Sequence, residues 1–359
     1  MSEQDLEAAT GIDECADGSQ GRSRPAGAQL VLLVASVALI VAGLGASWYQ
    51  QQATPASGPG RRVVVDVPFG LSVAQVASEL HSRHVLRSSL AFRIYLAITG
   101  VPEVRSGIYQ FRRSDSFASV RKVLAHGPTM FPLEVQAGER LTQLAAQVGQ
   151  IPGHSSKTFL KMARTGAVRS PLSPPGQASL EGLLGPGTYF VSADESDATL
   201  LKAMVDRFDS LASRSGLDQA QHLDGVSPYQ AVIIASLVQR EAGFPGDGGK
   251  VARVVYNRLK IGMKLQFDST VVYALGGVAP LTSADLKVSS PFNTYMVHGL
   301  PPTPISMVNT ADLRAALHPS PGNWLYFVVV SPDGREAFSA TFKEQLANEK
   351  LAAKRGLLG

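Results

Sequence analysis

Glu241 is the side chain whose type and position most clearly indicate chemistry. The apolar residues Ile234, Leu237 and Val238 precede it by seven, four and three positions. In an α-helix these positions share one face, so the carboxyl is expected to lie on the apolar stripe. Burial raises the pKa of a carboxyl, and the unpaired carbonyls of a last helical turn act in the same direction. A carboxyl that stays protonated near neutral pH is what a general acid acting on a glycosidic bond requires.

The same position also has a purely structural interpretation. A glutamate at the edge of an apolar stripe could form an ion pair with a nearby arginine, and periodicity alone leaves this alternative open. The helix itself is well specified. Ser227 suits the N-cap and Pro228 the first helical position, and Gln230 completes a capping box. Gly243 then provides a stop signal just beyond Glu241.

The residues around Glu241 are similar to a known motif. The segment 235–241 reads ASLVQRE and resembles the A-S-[IL]-[IV]-x-[KR]-E motif of the YceG/MltG-like endolytic murein transglycosylases. The resemblance continues in order along the chain, from Leu180-Glu181-Gly182 with Pro186, Thr188 and Tyr189 through 254–271 (VVYNRLKIGMKLQFDSTV), 292–295 (FNTY), 299–302 (GLPP) and 325–328 (LYFV). It covers nearly everything after residue 62.

This resemblance implies a lytic transglycosylase that acts on peptidoglycan, and no cofactor or metal is expected. Glu241 would protonate the oxygen between N-acetylmuramic acid and N-acetylglucosamine. As a carboxylate it would then take the proton of the muramic acid C6 hydroxyl, which closes onto C1 and leaves a 1,6-anhydro end. Substrate contacts and electrostatic support are expected from a set of polar side chains, each of which could instead be a structural turn or strand residue: Gln266, Asp268, Asn293, Tyr295 and Glu181. Glu181, next to Gly182, could also act as an orienting group behind the site.

Four places depart from the family pattern. The segment Thr303–Asn309 differs from the usual Gly-Pro-Ile and Asn-Pro-Gly sequence of the family. Glu336 and Gln345 occupy positions where the family usually has histidines. The loop after Glu241 is also unusually rich in glycine. These departures concern substrate contacts and leave the expected acid unchanged.

The order of predicted elements around Glu241 indicates an α+β protein: a single transmembrane helix, then a βααβ module and a mixed α/β catalytic domain. The βααβ module resembles LysM modules, so a LysM-like module is expected. The expected boundaries are a disordered cytoplasmic tail at 1–28, the span at 29–49, a linker at 50–61, the module at 62–128 and a YceG-like catalytic domain at 129–359. A second βααβ-like unit is expected at about 132–191. Its closing strand GTYFV (187–191) matches GIYQF (107–111) in the first module.

The membrane assignment depends on the segment 29–49, which contains no charged residue. Its length suits a bilayer-spanning helix, and Trp48 and Tyr49 lie where interfacial aromatic residues are common. Arg22 and Arg24 lie closer to the span than the next arginines do, which favours a cytoplasmic N-terminus. With a cytoplasmic N-terminus, the catalytic domain is expected outside the bacterial cell membrane.

The charge distribution and the number of cysteines indicate which partners and crosslinks are possible. The net charge of +4 combines an acidic tail, with six acids and two arginines in residues 1–28, and a basic remainder. A basic body favours an anionic partner, or is simply an unspecialised surface. Cys15 is the only cysteine, so no intrachain disulfide can form. The expected partners are peptidoglycan glycan strands, the membrane and peptidoglycan synthases, with no nucleic acid.

Two other kinds of function remain open. An ordinary glycoside hydrolase would use Glu241 as the acid and Asp268 as a base that activates water, and would leave reducing ends. A scaffold that binds the cell wall without catalysis is the other. A penicillin-binding enzyme is disfavoured, because Ser119-Val120-Arg121-Lys122 and Arg164-Thr165-Gly166 only partly imitate its motifs and lie too close together.

Overall fold

The computed structural model of the chain describes residues 26–54, 60–218, 225–244, 246–277 and 279–357. These residues form two units. The first comprises the described part of Met1–Val104 with Phe111–Ala125, and the second comprises Arg105–Gln110 with the described part of His126–Gly359. The predicted tail lies outside the described residues up to residue 25, as do Cys15 and most of the predicted linker (55–59).

Helix α1 (Ala26–Ala53) contains the predicted membrane span and is longer than it at both ends. Residues 26–28, assigned to the tail, and 50–53, assigned to the linker, are helical. The three glutamines and the alanine after Tyr49 favour helix, so nothing ends α1 before Pro55. In the part of the chain that the structure describes, α1 is the one helix long and apolar enough to cross a membrane.

The chain then continues in the order β1 (Arg62–Val67), α2 (Val73–Ser82), α3 (Ser89–Thr99), β2 (Gly107–Arg112) and α4 (Phe117–His126). The first unit contains β1, α2, α3 and nearly all of α4, whereas the first four residues of β2 belong to the second unit. Ser72 caps α2 in a capping box with Gln75. The core is apolar and aromatic, with the rings of Phe92 and Phe117 5.3 Å apart. The predicted βααβ order is confirmed, whereas the likeness to LysM modules remains a prediction.

The second unit holds the remaining elements: β3 (Met130–Val135), α5 (Leu141–Val148), α6 (Ser156–Thr165), β4 (Gly187–Ser192), α7 (Asp197–Arg214), α8 (Pro228–Glu241), α9 (Gly248–Lys260), α10 (Asp268–Ala274), α11 (Thr310–Leu317), β5 (Tyr326–Val329), β6 (Glu336–Ser339) and α12 (Phe342–Lys354). β3 pairs antiparallel with β4, and Ile108 of β2 pairs with Met130 on the other edge of β3. β5 and β6 form a separate antiparallel hairpin.

The order β3-α5-α6-β4 repeats the order of the first module, as the matching strand sequences predicted. The repeat extends to side-chain hydrogen bonds. Tyr109 donates its hydroxyl to the carbonyl of Arg105, and Tyr189 donates its own to the carbonyl of Gly185, each at 2.5 Å. Both bonds span four residues, so the two closing strands begin with the same local turn.

Helix α8 runs through the core of the second unit, and α9, α10 and α11 pack against it. Residues 231–238 are all buried, whereas Gln239, Arg240 and Glu241 emerge at its end. The hydroxyl of Ser236 accepts a hydrogen bond from the N–H of Ile305 (3.1 Å), which ties the buried part of α8 to the 303–309 segment. The core therefore fixes the direction in which the last turn of α8 presents Glu241.

Candidate active site

Glu241 is the last residue of α8, and its position follows from the start of the helix. Ser227 and Gln230 form the predicted capping box, and Pro228 occupies the first helical position. Ile234, Leu237 and Val238 are fully buried on the same side of the helix. Glu241 itself is half-buried, so its carboxyl is held at the edge of the core and remains within reach of a ligand.

Ser269 on α10 is the direct partner of this carboxyl. Its hydroxyl and its backbone N–H (3.3 Å) both donate to Oε1 of Glu241. Burial raises the pKa of Glu241 above its usual range, whereas the two hydrogen bonds from Ser269 lower it. The neighbouring charge of Asp268 raises the pKa and that of Arg240 lowers it, and the net shift is upward. Burial therefore outweighs the hydrogen bonds, as the sequence predicted.

The alternative interpretation of Glu241 as half of an ion pair does not describe this arrangement. None of the ion pairs among the described residues includes Glu241. The adjacent Arg240 is exposed and directs a guanidinium N–H toward the carbonyl of Gly138 at 3.5 Å. The carboxyl is thus held by a neutral donor, which leaves it free to gain and lose a proton.

Three of the predicted substrate-contact residues lie on one surface next to Ser269. The exposed Asp268 accepts a hydrogen bond from the hydroxyl of Tyr295 at 2.6 Å. Gln266 is exposed, has a positive φ of 51°, and donates its backbone N–H to the carbonyl of Thr294 (3.1 Å). Hydrogen bonds between the 266–270 and 293–295 segments therefore bring Gln266, Asp268 and Tyr295 together beside Glu241.

Asn293 has a different place from the one expected of a substrate contact. It is completely buried, and its amide nitrogen donates to the carbonyls of Leu286 (3.0 Å) and Val288 (2.8 Å). Its amide oxygen accepts the N–H of Tyr295 (3.0 Å). Because no surface of this side chain remains for a sugar, the predicted contact is corrected to a positioning role: Asn293 shapes the turn that carries Tyr295.

Glu181 lies behind the site and not on its surface. Its carboxylate accepts hydrogen bonds from the N–H of Leu141 (2.8 Å) and from the hydroxyl of Tyr273 (2.9 Å) on α10. Burial raises its pKa to about 7, against the lowering effect of these hydrogen bonds and of Arg164 and Arg140. The position agrees with the orienting role considered for Glu181 and not with a direct contact to substrate.

Comparison with known proteins identifies the family. The sequence profile described as the YceG-like family matches residues 65–351. The chain belongs to the YceG-like family. It is 32% identical over 311 residues to the endolytic murein transglycosylase of Bacillus subtilis strain 168, covering 82% of this chain and 86% of the relative. The endolytic murein transglycosylase of Streptococcus pneumoniae D39 is 25% identical over 306 residues, covering 76% of this chain and 55% of the relative.

A solved structure shows the same family. The 2.6 Å crystal structure of a yceG-like protein of Listeria monocytogenes aligns with a TM-score of 0.54 and 27% identity, and covers 80% of this chain and 99% of that one. The resemblance that the motifs around Glu241 indicated is therefore confirmed at the level of the family.

Glu336 is a neighbour of the site that the sequence marked only as a departure. In this YceG-like chain it is buried at the start of β6, and its Oε1 accepts the N–H of Gly243 (3.3 Å), two residues after Glu241. Its Oε2 has no hydrogen-bond partner among the described residues. Burial, Asp247 and Glu241 raise its pKa to about 7, against a smaller lowering by the bond from Gly243. A second carboxyl that resists ionisation therefore lies beside the loop that follows the proposed acid.

The raised pKa values of Glu181 and Glu336 predict that stability falls as pH rises. Each folded-state pKa is about 7, above the usual 4.5, so the folded state holds protons that the unfolded state has lost. Stability is then greatest at low pH and declines between about pH 4.5 and 7. The melting temperature of wild type measured from pH 5 to 8 should fall, and Glu336→Gln should reduce the slope. The exposed Glu103, changed to glutamine, should leave the slope as in wild type; an equal slope in Glu336→Gln would contradict this account.

Proposed function

We propose that this chain is a membrane-anchored lytic transglycosylase. It cleaves the bond between N-acetylmuramic acid and N-acetylglucosamine in peptidoglycan and leaves 1,6-anhydro-muramic acid ends. The observation that carries the proposal is the half-buried carboxyl of Glu241, whose pKa is raised and whose partner is the neutral Ser269. The two relatives named endolytic murein transglycosylase support the same class of reaction.

The reaction uses one carboxyl twice. Protonated Glu241 donates its proton to the bridging oxygen as the bond from that oxygen to C1 of the muramic acid breaks. The resulting carboxylate removes the proton of the C6 hydroxyl while O6 forms the new bond to C1, so Glu241 ends protonated as it began. Ser269 can hold the carboxyl in both states because its hydroxyl and N–H donate to Oε1 in each. The exposed carboxylate of Asp268 lies on the same segment and offers electrostatic support to a positively charged sugar.

The products distinguish this proposal from the alternatives. Peptidoglycan digested with the full-length protein in detergent, in water enriched in oxygen-18, should yield anhydro ends that contain no oxygen-18. A hydrolase that uses Asp268 to activate water would yield reducing ends with one labelled oxygen at C1. A wall-binding scaffold would release no muropeptides. Either of these two results would overturn the proposal.

Asp268 also provides a prediction about pH. Because its charge raises the pKa of Glu241, Asp268→Asn should let Glu241 lose its proton at lower pH. The alkaline limb of kcat/KM against pH should therefore move to lower pH. Tyr295→Phe is the matched control, since it removes the same 2.6 Å hydrogen bond and keeps the charge. A downward shift of equal size in Tyr295→Phe would show that the hydrogen bond, and not the charge, sets the limb.

We also propose that α1 anchors the protein in the bacterial cell membrane with the N-terminus in the cytoplasm. Its 28 residues correspond to roughly 42 Å at about 1.5 Å per residue, which exceeds the thickness of a hydrocarbon core. Protease added outside spheroplasts should degrade the second unit and spare a tag at the N-terminus; degradation of the tag would reverse the orientation. Cooperation with peptidoglycan synthases is a further expectation of the family resemblance.

A further inference from the structure

Two depressions with shared lining residues lie on the second unit, and one of them is lined by Ser269, the partner of the proposed acid. The first encloses about 410 Å³ and includes Ser269, which holds Glu241. The second encloses about 720 Å³ and extends to Arg164 at the end of α6. Both are lined by Arg140 and Tyr273. We call the two together the arginine groove, defined by Arg240 and Ser269 at one end, Arg140 and Tyr273 in the middle and Arg164 at the other end.

The charge of this groove is the feature that the proposed reaction leaves unexplained. Arg140, Arg164 and Arg240 form no ion pair with any described residue. Within the described ranges, their guanidinium groups form only long hydrogen bonds to neutral atoms: Arg240 to the carbonyl of Gly138 (3.5 Å) and Arg140 to the amide oxygen of Gln143 (3.3 Å). Arg164 and Arg240 are exposed.

The carboxyls that line the groove form no ion pair with these cations. Glu181 is buried, its two oxygens accept bonds from Leu141 and Tyr273, and its pKa is about 7. Glu139 accepts bonds from the N–H of Gln136 and the side chain of Gln147, and burial raises its pKa. The groove therefore presents three guanidinium groups that have no carboxylate partner among the described residues.

Guanidinium groups that are free and exposed are matched to carboxylates, with which they form paired, charge-assisted hydrogen bonds. The sugar rings of a peptidoglycan strand carry hydroxyl and acetamido groups, which need amides and backbone groups and not cations. Its carboxylates lie on the stem peptides, which hang from the lactyl group of each muramic acid. A strand with its scissile bond at Glu241 must place such a peptide close to that end of the groove.

We propose that the arginine groove binds the carboxylates of stem peptides, so that the enzyme selects strands that still carry their peptides. This inference rests on the proposed function and names the part of the substrate that this region recognises. Ser269 lines one end of the groove and donates to Glu241. A stem peptide bound in the groove would therefore also determine which glycosidic bond of the strand lies at Glu241.

The test compares two substrates of equal sugar content. One is uncrosslinked glycan with intact stem peptides, and the other is the same glycan after an amidase has removed the peptides. Wild type, as the full-length protein in detergent, should show a kcat/KM at least about 10-fold higher on the peptide-bearing strands, mainly through KM, as two or three charge-assisted bonds provide. Arg164→Gln should lower this ratio about 3- to 10-fold, and Arg164→Gln with Arg240→Gln should bring it close to one.

Arg314→Gln is the matched control. Arg314 is exposed on α11 and lines neither depression, and its loss changes the net charge by the same amount. Its ratio should equal that of wild type. Equal kcat/KM on both substrates in wild type, or an equal fall in Arg314→Gln and Arg164→Gln, would overturn the inference while leaving the proposed function intact. Failure of wild type to cleave either substrate would instead overturn the proposed function.

Discussion

Glu241→Gln is expected to lower kcat on peptidoglycan by about 10³- to 10⁴-fold, the upper part of the range for a single general acid–base group. The reason is that Glu241 carries both proton transfers of the proposed reaction, and an amide can perform neither. The amide oxygen can still accept the two hydrogen bonds from Ser269, so the loss should arise from the missing proton. The rate of release of anhydro-muropeptides from purified peptidoglycan measures it directly.

Stability distinguishes this loss from misfolding. Because burial raises the pKa of Glu241, the folded state disfavours its charge, and a neutral glutamine removes that penalty at pH values above the pKa. Glu241→Gln should therefore melt at a temperature no lower than wild type at neutral pH. Glu103→Gln, on an exposed side chain, controls for the change in charge and should keep full activity. A Glu241→Gln protein with more than a tenth of wild-type activity would remove Glu241 from the mechanism.

The sequence could predict those parts of the site that depend on local pattern. The start of α8 follows from Ser227, Pro228 and Gln230 because a capping box and an N-terminal proline act within one helical turn. The side of α8 on which Glu241 lies follows from helical periodicity for the same reason. The repeated βααβ order could also be recognised, because the strands at 107–111 and 187–191 are similar in sequence. The structure adds that both strands carry the same tyrosine hydrogen bond.

Contacts between distant segments could not be predicted in this way. Ser269 lies 28 residues from Glu241, and Glu336 lies 93 residues from Gly243, so no periodicity connects them. Asn293 shows the related difficulty that residue type does not specify the partner. An amide suits a sugar hydroxyl and a backbone carbonyl equally well, and only the fold shows that Asn293 is buried among carbonyls.

Arg258 was not singled out by the sequence patterns either. Its replacement is expected to cause the largest change in stability. It lies on α9, is 7% exposed, and forms no ion pair among the described residues. Its guanidinium donates to the carbonyl of Leu325 (2.6 Å) and to that of Leu265. It also lies over the rings of Phe267 (5.7 Å) and Tyr326 (5.5 Å).

These contacts connect α9 to the segment that leads into α10 and to the start of β5. Phe267 directly precedes Asp268 and Ser269, so Arg258 helps to hold the partner of Glu241 in place. Burial lowers the pKa of the guanidinium, which shows that its charge is desolvated and that its hydrogen bonds must offset that cost. Removing the donors while keeping the bulk would leave two buried carbonyls without partners.

Arg258→Met is therefore expected to lower the free energy of unfolding by about 2–4 kcal/mol. This loss is smaller than the free energy that two charge-assisted hydrogen bonds contribute, because the cost of desolvating the charge disappears as well. For a unit of this size that corresponds to a melting temperature roughly 5–12 °C lower, measured on the full-length protein in detergent. Arg335→Met is the matched control, because Arg335 also lies over a ring, that of Phe244 at 5.1 Å, but is 64% exposed. Its melting temperature should change by less than about 2 °C. Equal changes in the two variants would mean that burial of the guanidinium does not determine its contribution.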